Sequence, residues 1–383
     1  MKIQQKRFSH ARSWEIVRNN FSENETCHFV LAFGSTENFS EPAVYDSLRA
    51  AYPSAEIILN STAGEISDTQ VSDNSISVTA IHFEKTKIKT VAIQIEDTTN
   101  SFDAGVALCQ KLDHSALKYV LVISDGLKVN GSELVLGLQH CLPAGTFITG
   151  GLAGDGARFE KTLVGLNEAP SEGKVVAVGF YGDALEIKFS SVGGWDSFGP
   201  ERLITKSKKN ILFELDGKPA LDIYKLYLGE YAKDLPGSGL LFPLSIRTNN
   251  ETHSLVRTIL AMNEDDKSLT FAGNMPEGSF ARLMKANFDR LIDGATCAAQ
   301  NTLQSNDSSP EFALLISCVG RKLVLNQRIE EEVEEIRAVF GNDTALAGFY
   351  SYGEISPGFN FTKCELHNQT MTVTTLTERT THE

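Results

Sequence analysis

The chain reads as an α/β protein in which mixed β-sheets are flanked by helices and built from internally duplicated strand–helix–strand units. The first observation is a recurrence. Three times a hydrophobic run ends in a glycine turn, a helix-like stretch follows, and a second hydrophobic run ends in glycine plus an acid: LAFGSTENF then STAGEISD, VISDGLKVN then LAGDGARF, ISCVGRKLV then SYGEISPG. The first glycines are Gly34, Gly126 and Gly320; the second are Gly64, Gly154 and Gly353, followed by Glu65, Asp155 and Glu354. Copies of one supersecondary unit place equivalent turns on a common sheet edge, where α/β sheets bind their ligands. The second observation is composition. With 383 residues, 42% hydrophobic and 22% charged, the chain has the make-up of an ordinary globular protein and the length for more than one core.

Along the first unit, residues 14–21 read as helix, 28–33 as strand, 41–51 as helix, and 55–60 and 75–83 as strands. The second repeats the order, with helices over 103–112 and 131–141, Pro143 as a stop, and strands over 119–124, 146–149 and 174–181. Residues 185–275 change to β-branched and aromatic runs, a mostly antiparallel region interrupted by a helix over 219–231. The third unit opens with a helix over 280–303, followed by strands over 313–317, 345–350 and 371–376 and an acidic helix over 328–340.

A net charge of −14 and pI near 5.1 argue against capture by nucleic acid or anionic lipid. No secretory signal and no membrane-length apolar run is found, so a cytoplasmic protein is expected. The six cysteines Cys27, Cys109, Cys141, Cys297, Cys318 and Cys364 form no C-x-x-C pair, and reduced thiols filling the core are expected.

Seven segments carry a resemblance: GGLAGDG at 150–156, FGPERLITKS at 198–207, LDGKPALDIYKLYLG at 215–229, FAGNMPEG at 271–278, RLMKANFDRLIDGA at 282–295, SCVGRKLVLNQR at 317–328, and GFYSYGEISP with CELHNQTMT near the end. In this order they closely resemble the FIST family of sensory proteins, over nearly the whole chain. The resemblance implies an N-terminal region, residues 1–217, and a C-terminal region, residues 218–383. It implies a non-catalytic input module for bacterial signal transduction, with small ligands such as amino acids. The stand-alone form is similar to haem-binding nitric-oxide sensors that regulate a partner histidine kinase.

No G-x-S-x-G, Walker or H-E-x-x-H motif is present, so a catalytic reading lacks a nucleophile and base that can be named together. Gly64, Gly154 and Gly353 are candidate ligand-binding positions on the shared loop edge, and the glycines of GGLAGDG are either a tight turn or a place where backbone amides approach an anionic group. Glu65, Asp155 and Glu354 either hold a ligand ammonium or cap neighbouring N–H groups. Arg321 and its neighbour Lys322 sit at a strand-to-helix turn where a cation would take a carboxylate. Tyr352, with Phe349, Tyr350 and Phe359, offers a pocket floor or core. His367, beside Cys364, is the candidate haem ligand, with a hydrogen-bonded structural histidine as the plain reading; His82 is its rival. A thiol-dependent enzyme built on Cys318 or Cys364, and a pure protein adaptor, are the alternatives from other classes.

Overall fold

In the first unit, β1 (Lys2–Ser9), β2 (Ser13–Asn19) and β3 (Phe29–Gly34) are followed by α1 (Thr36–Phe39), α2 (Pro42–Ala51), β4 (Glu56–Ser61), β5 (Glu65–Ser67), β6 (Gln70–Ser72) and β7 (Ser75–His82). The computed structural model describes residues 1–9, 13–22, 25–235, 237–248, 254–303, 308–358 and 363–379. β3 runs parallel to β4 and antiparallel to β7, and β1 flanks β7. The second unit repeats this with β8 (Lys87–Gln94), α3 (Ser101–Lys111), β9 (Leu117–Ser124), α4 (Gly131–Cys141), β10 (Phe147–Leu152), β11 (Val164–Leu166) and β12 (Lys174–Tyr181). Here β9 is parallel to β10 and antiparallel to β12, and β8 flanks β12.

β13 (Leu185–Val192) opens the third unit, which an inserted antiparallel sheet then interrupts. That sheet holds β14 (Asp196–Lys208), β15 (Ile211–Leu215), β16 (Lys218–Pro219), β17 (Leu244–Arg247), β18 (Leu255–Arg257), β19 (Ile259–Asn263), β20 (Ser268–Phe271) and β21 (Phe280–Lys285). Its own core forms where α5 (Ala220–Leu228) lays Leu221, Tyr224 and Leu228 against Leu212, Phe271 and Leu283. The third unit resumes with α6 (Phe288–Gln300), β22 (Phe312–Cys318), α7 (Val319–Leu325), α8 (Ile329–Phe340), β23 (Ala345–Ser351), β24 (Gly353–Pro357), β25 (Cys364–His367) and β26 (Met371–Glu378). β22 is parallel to β23 and antiparallel to β26, flanked by β13.

Each unit gives a strand to another. β5 of the first pairs with β23 of the third, β24 of the third pairs with β10 of the second, and β11 of the second pairs with β4 of the first. The exchange is cyclic, so the three sheets close around a shared interior. Side-chain alternation explains how they fill it. Phe29, Leu31 and Phe33 of β3, Tyr119, Leu121 and Ile123 of β9, and Phe312, Leu314 and Ile316 of β22 all enter one common cluster. The intervening residues face outward onto helices: Val30 and Ala32 toward α1 and α2, Val120 and Val122 toward α3 and α4, Ala313 and Leu315 toward α6 and α8. Burial on both faces is why these strands read as unbroken apolar runs. Each large side chain so buried contributes about 1.5–3 kcal/mol.

Three expectations are corrected. Residues 14–21 do not form a helix: β2 lies antiparallel to β1 as an edge strand, with Trp14 and Ile16 exposed. The helix expected over 280–303 starts only at Phe288, because residues 280–285 pair with both β14 and β17, and the Asn287 side chain caps α6 by accepting from Arg290 N. Tertiary pairing overrides the helix-forming Ala281, Arg282, Leu283, Met284 and Lys285. Finally, Cys109 and Cys141 are joined in a disulfide rather than held as separate core thiols. Gly105 and Gly137 bring α3 and α4 together: a Cβ on Gly137 would lie 2.0 Å from Phe102 O, and one on Gly105 2.3 Å from Leu134 O.

Candidate functional site

The second-glycine turns of the three units are hydrogen-bonded to one another. Gly154 N donates to Ser61 O (3.0 Å), Gly156 N to Thr62 O (3.2 Å), Ala63 N to Tyr350 O (2.8 Å) and Tyr350 N to Gly64 O (2.8 Å). Gly353 is the register partner of Leu152, and Tyr352 N donates to Leu152 O at 3.2 Å. The approach requires glycine at Gly154, since a Cβ there would lie 2.7 Å from Ala63 N.

The three acids have different surroundings. Glu65 is buried, and its carboxylate accepts from Thr62 Oγ1 (2.5 Å), Ser75 N (3.1 Å) and Ser75 Oγ (2.7 Å). Glu354 repeats this with Ser351 Oγ (2.6 Å), Thr370 N (3.3 Å) and Thr370 Oγ1 (3.0 Å). Burial pushes Glu65 up to about 7 and Glu354 up to about 8, against the opposing pull of these hydrogen bonds. Asp155 instead accepts from Thr36 Oγ1 (2.7 Å), Arg158 Nε (2.9 Å) and Lys161 N (3.1 Å). Burial alone would raise it, but these donors outweigh burial and hold it below the ordinary aspartate value.

A cavity of about 480 Å³ opens at this junction, its wall drawn from all three units: Gly64, Glu65 and Asp73 from the first, Gly156 and Arg158 from the second, Lys322 from the third. Arg158 reaches Glu37 at 3.0 Å and pairs with Asp155. Lys322 Nζ donates to Ala63 O at 2.8 Å, pairs with Asp73 and lies 5.8 Å from the Tyr350 ring centre. Two cations, Arg158 and Lys322, and two acids, Glu65 and Asp73, thus border one concave space. Arg321 turns the other way: it is fully buried, pairs with buried Glu332 at 2.7 Å, and donates to Gly193 O (2.5 Å) and Leu291 O (2.6 Å). That network ties α7 to α6, α8 and the start of the insertion. Tyr352 backs the wall, stacking on Phe159 with ring centres 4.4 Å apart; its hydroxyl accepts from Phe159 N (3.2 Å) and donates to Gly156 O (3.3 Å). Phe349 and Tyr350 are core residues, and Phe359 lies outside the described residues.

Two family matches cover most of this architecture: FIST N domain over residues 28–218 and FIST C domain over residues 220–357. The chain belongs to the FIST family. FIST domains are small-ligand sensory domains in signalling. This FIST protein is also similar to an uncharacterised protein of Methanocaldococcus jannaschii, 26% identical over a 251-residue alignment, with 57% of this chain and 46% of that relative covered. The match therefore spans about half the length of the relative.

Haem needs an axial donor facing an apolar pocket, and the surroundings of His367 do not fit that group. His367 sits on β25 in register with Glu354, its Nε2 lies 3.1 Å from Ser356 O, and Arg257 donates to the adjoining Leu366 O at 2.7 Å. Part of the ring meets solvent, yet the packing around it pushes the imidazole down to about 4. The cavity at the turn junction does not reach it. His82 stacks on His28 with ring centres 4.7 Å apart, and its Nδ1 lies 2.7 Å from Thr26 O. The Cys318 and Cys364 thiols are buried, and desolvation pushes both upward, away from the thiolate a nucleophile needs. No helix among the described residues is long and apolar enough to cross a membrane.

Arg158, the cavity's more exposed cation, was not legible in sequence. It stands three residues beyond the Gly-Asp pair in DGARF, and the only pointer to it was that the second turn is the most glycine-rich of the three.

Proposed function

We propose that this FIST protein is a non-catalytic sensor of a small zwitterionic metabolite of the amino-acid class. One observation carries the reading: a single cavity takes walls from all three units and offers cations and carboxylates together. Arg158 and Lys322 supply partners for a ligand carboxylate, and Asp73 with the Ala63 carbonyl supplies acceptors for its ammonium. The present pairs Arg158–Glu37 and Lys322–Asp73 have exposed partners, and such pairs are worth about 0–1 kcal/mol, so a ligand exchanges them at little cost. Ile329, the first residue of α8, also lines the cavity, while Glu330, Glu334 and Glu335 on that helix face solvent. Occupancy at the turn junction thereby biases an acidic surface suited to a basic face on a signalling partner such as a histidine kinase.

A thermal-shift and calorimetric screen of free amino acids tests this. A ligand that binds only the folded state raises Tm, and the rise is expected to vanish in Arg158→Ala and for analogues lacking either the ammonium or the carboxylate. A rise that survives in the Arg158→Ala, Lys322→Ala double variant overturns the reading. So does a sharp haem Soret band that depends on His367.

A further inference from the structure

We propose that Cys109, Cys141 and His114 form a thiol-gated site for a metal ion of the zinc class. The three lie away from the turn junction, at the far ends of α3 and α4: Cys109 in the last turn of α3, Cys141 closing α4, and His114 just beyond the α3 C-terminus. Their ligand atoms all fall within 4.8 Å of one another. The His114 Nε2 is 3.4 Å from Cys109 Sγ and 3.0 Å from Cys109 O. Two sulfurs and an imidazole are the donor set that selects zinc and related soft ions, with a fourth position left for water or another ligand.

What makes this a site rather than a plain crosslink is that the disulfide is not needed to hold its parts together. The α3–α4 interface is set by the Gly105 and Gly137 contacts, where each backbone meets the other helix at a distance no side chain allows. Leu108 and Leu138 are both fully buried in the same cluster. The helix ends therefore stay together when the sulfurs are reduced, with Cys109 and Cys141 Cα atoms 6.1 Å apart in the oxidised form. Reduction leaves an assembled dithiol instead of an open gap. The site is reachable as well: His114 is exposed, Cys141 is half-buried, and Asp113 and Ser115 on either side of His114 border an open groove of about 480 Å³.

Two equivalents of a low-molecular-weight thiol reduce the disulfide, giving two protein thiols and one small-molecule disulfide. Metal binding then releases both thiol protons to solvent, while His114 donates a neutral nitrogen. The reverse exchange with a small disulfide re-forms the Cys109–Cys141 bond and expels the ion, so metal occupancy reports thiol status.

Cobalt(II) titration of the full chain, reduced with a phosphine that does not ligate the ion, is the test. One equivalent should give thiolate-to-cobalt charge-transfer bands, zinc should displace it, and the oxidised protein should give none. Cys141→Ser should abolish the bands, and His114→Ala should weaken binding by more than about tenfold, the loss that even an outer-shell partner causes. Circular dichroism of the reduced, metal-free protein should match the oxidised form. Loss of helix on reduction, absence of bands from a folded reduced protein, or bands that persist in Cys141→Ser would each overturn the proposal.

Discussion

Thr62 and Ser351 stand three residues before Glu65 and Glu354, whereas Leu152 stands three before Asp155. In the first and third units the carboxylate closes on its own turn's hydroxyl, and the donated strand starts at once, β5 at Glu65 and β24 at Gly353. In the second unit Leu152 is committed to the core, so Asp155 borrows Thr36 from another unit and Arg158 from downstream, and β11 does not begin until Val164. The loop this delay creates is the one that carries Gly156 and Arg158 into the cavity. The copy that breaks the pattern brings Arg158 to a wall that all three units share, while the two that keep it close their carboxylates on their own turns.

The largest test of that contrast removes the acids. Glu65→Ala or Glu354→Ala strands a hydroxyl pair and a backbone N–H in a buried site, at about 1–3 kcal/mol for each unpaired group. Urea denaturation should show about 3 kcal/mol lost for either. Asp155→Ala, beside half-exposed Arg158, should lose about 1 kcal/mol. Equal losses at all three would break the comparison.

Next come the glycines. Gly154→Ala drives a Cβ against the Ala63 backbone and should lose about 2 kcal/mol. Gly353→Ala meets only the movable ends of Leu366 (3.0 Å) and Leu152 (3.1 Å), so its loss should be smaller; the reverse order would contradict the turn packing.

The pH dependence has opposite signs in the two kinds of turn. Glu65 and Glu354 keep their protons up to about 7 and 8, while the unfolded chain releases them near the ordinary glutamate value. Their stabilisation is therefore full below that unfolded value and is lost as pH rises through the folded values. Glu354→Gln places a neutral amide there, its oxygen accepting from Thr370 N and Oγ1 and its amino group donating to Ser351 Oγ, and should flatten this decline, making the variant the more stable above pH of about 8. Asp155, held low, contributes above its unfolded value and loses that contribution on acidification, so Asp155→Asn should flatten the acid limb instead. The smallest expected effect is that of Arg158→Ala on stability, under about 1 kcal/mol for a half-exposed guanidinium, since Asp155 keeps Thr36 Oγ1 and Lys161 N as donors. Its effect on ligand-induced Tm should nonetheless be complete.

Much of this was legible because buried strands and capped helices announce themselves locally. The run Lys174–Tyr181 and the helix Gly131–Cys141 appear where periodicity places them, the latter capped by Asn130. Local signal failed where a distant partner decides the outcome. Residues 280–285 are good helix formers made into a strand by two neighbouring strands, and Cys109 and Cys141, 32 residues apart, meet only because two glycines let their helices close. At the site, the recurrence located the turns, and adjacency in sequence could not tell that Arg321 points into the core while Lys322 points to the cavity.

The ring of strand gifts has a consequence for biosynthesis. A ribosome makes the β5–β6 hairpin long before its acceptor β23, so β5 carries a bare edge until residues 345–351 have emerged. Exposed edges of that kind invite mispairing with other chains. Shielding by chaperones should matter most late in translation, and a transcript truncated before β23 should yield aggregate rather than a working fragment.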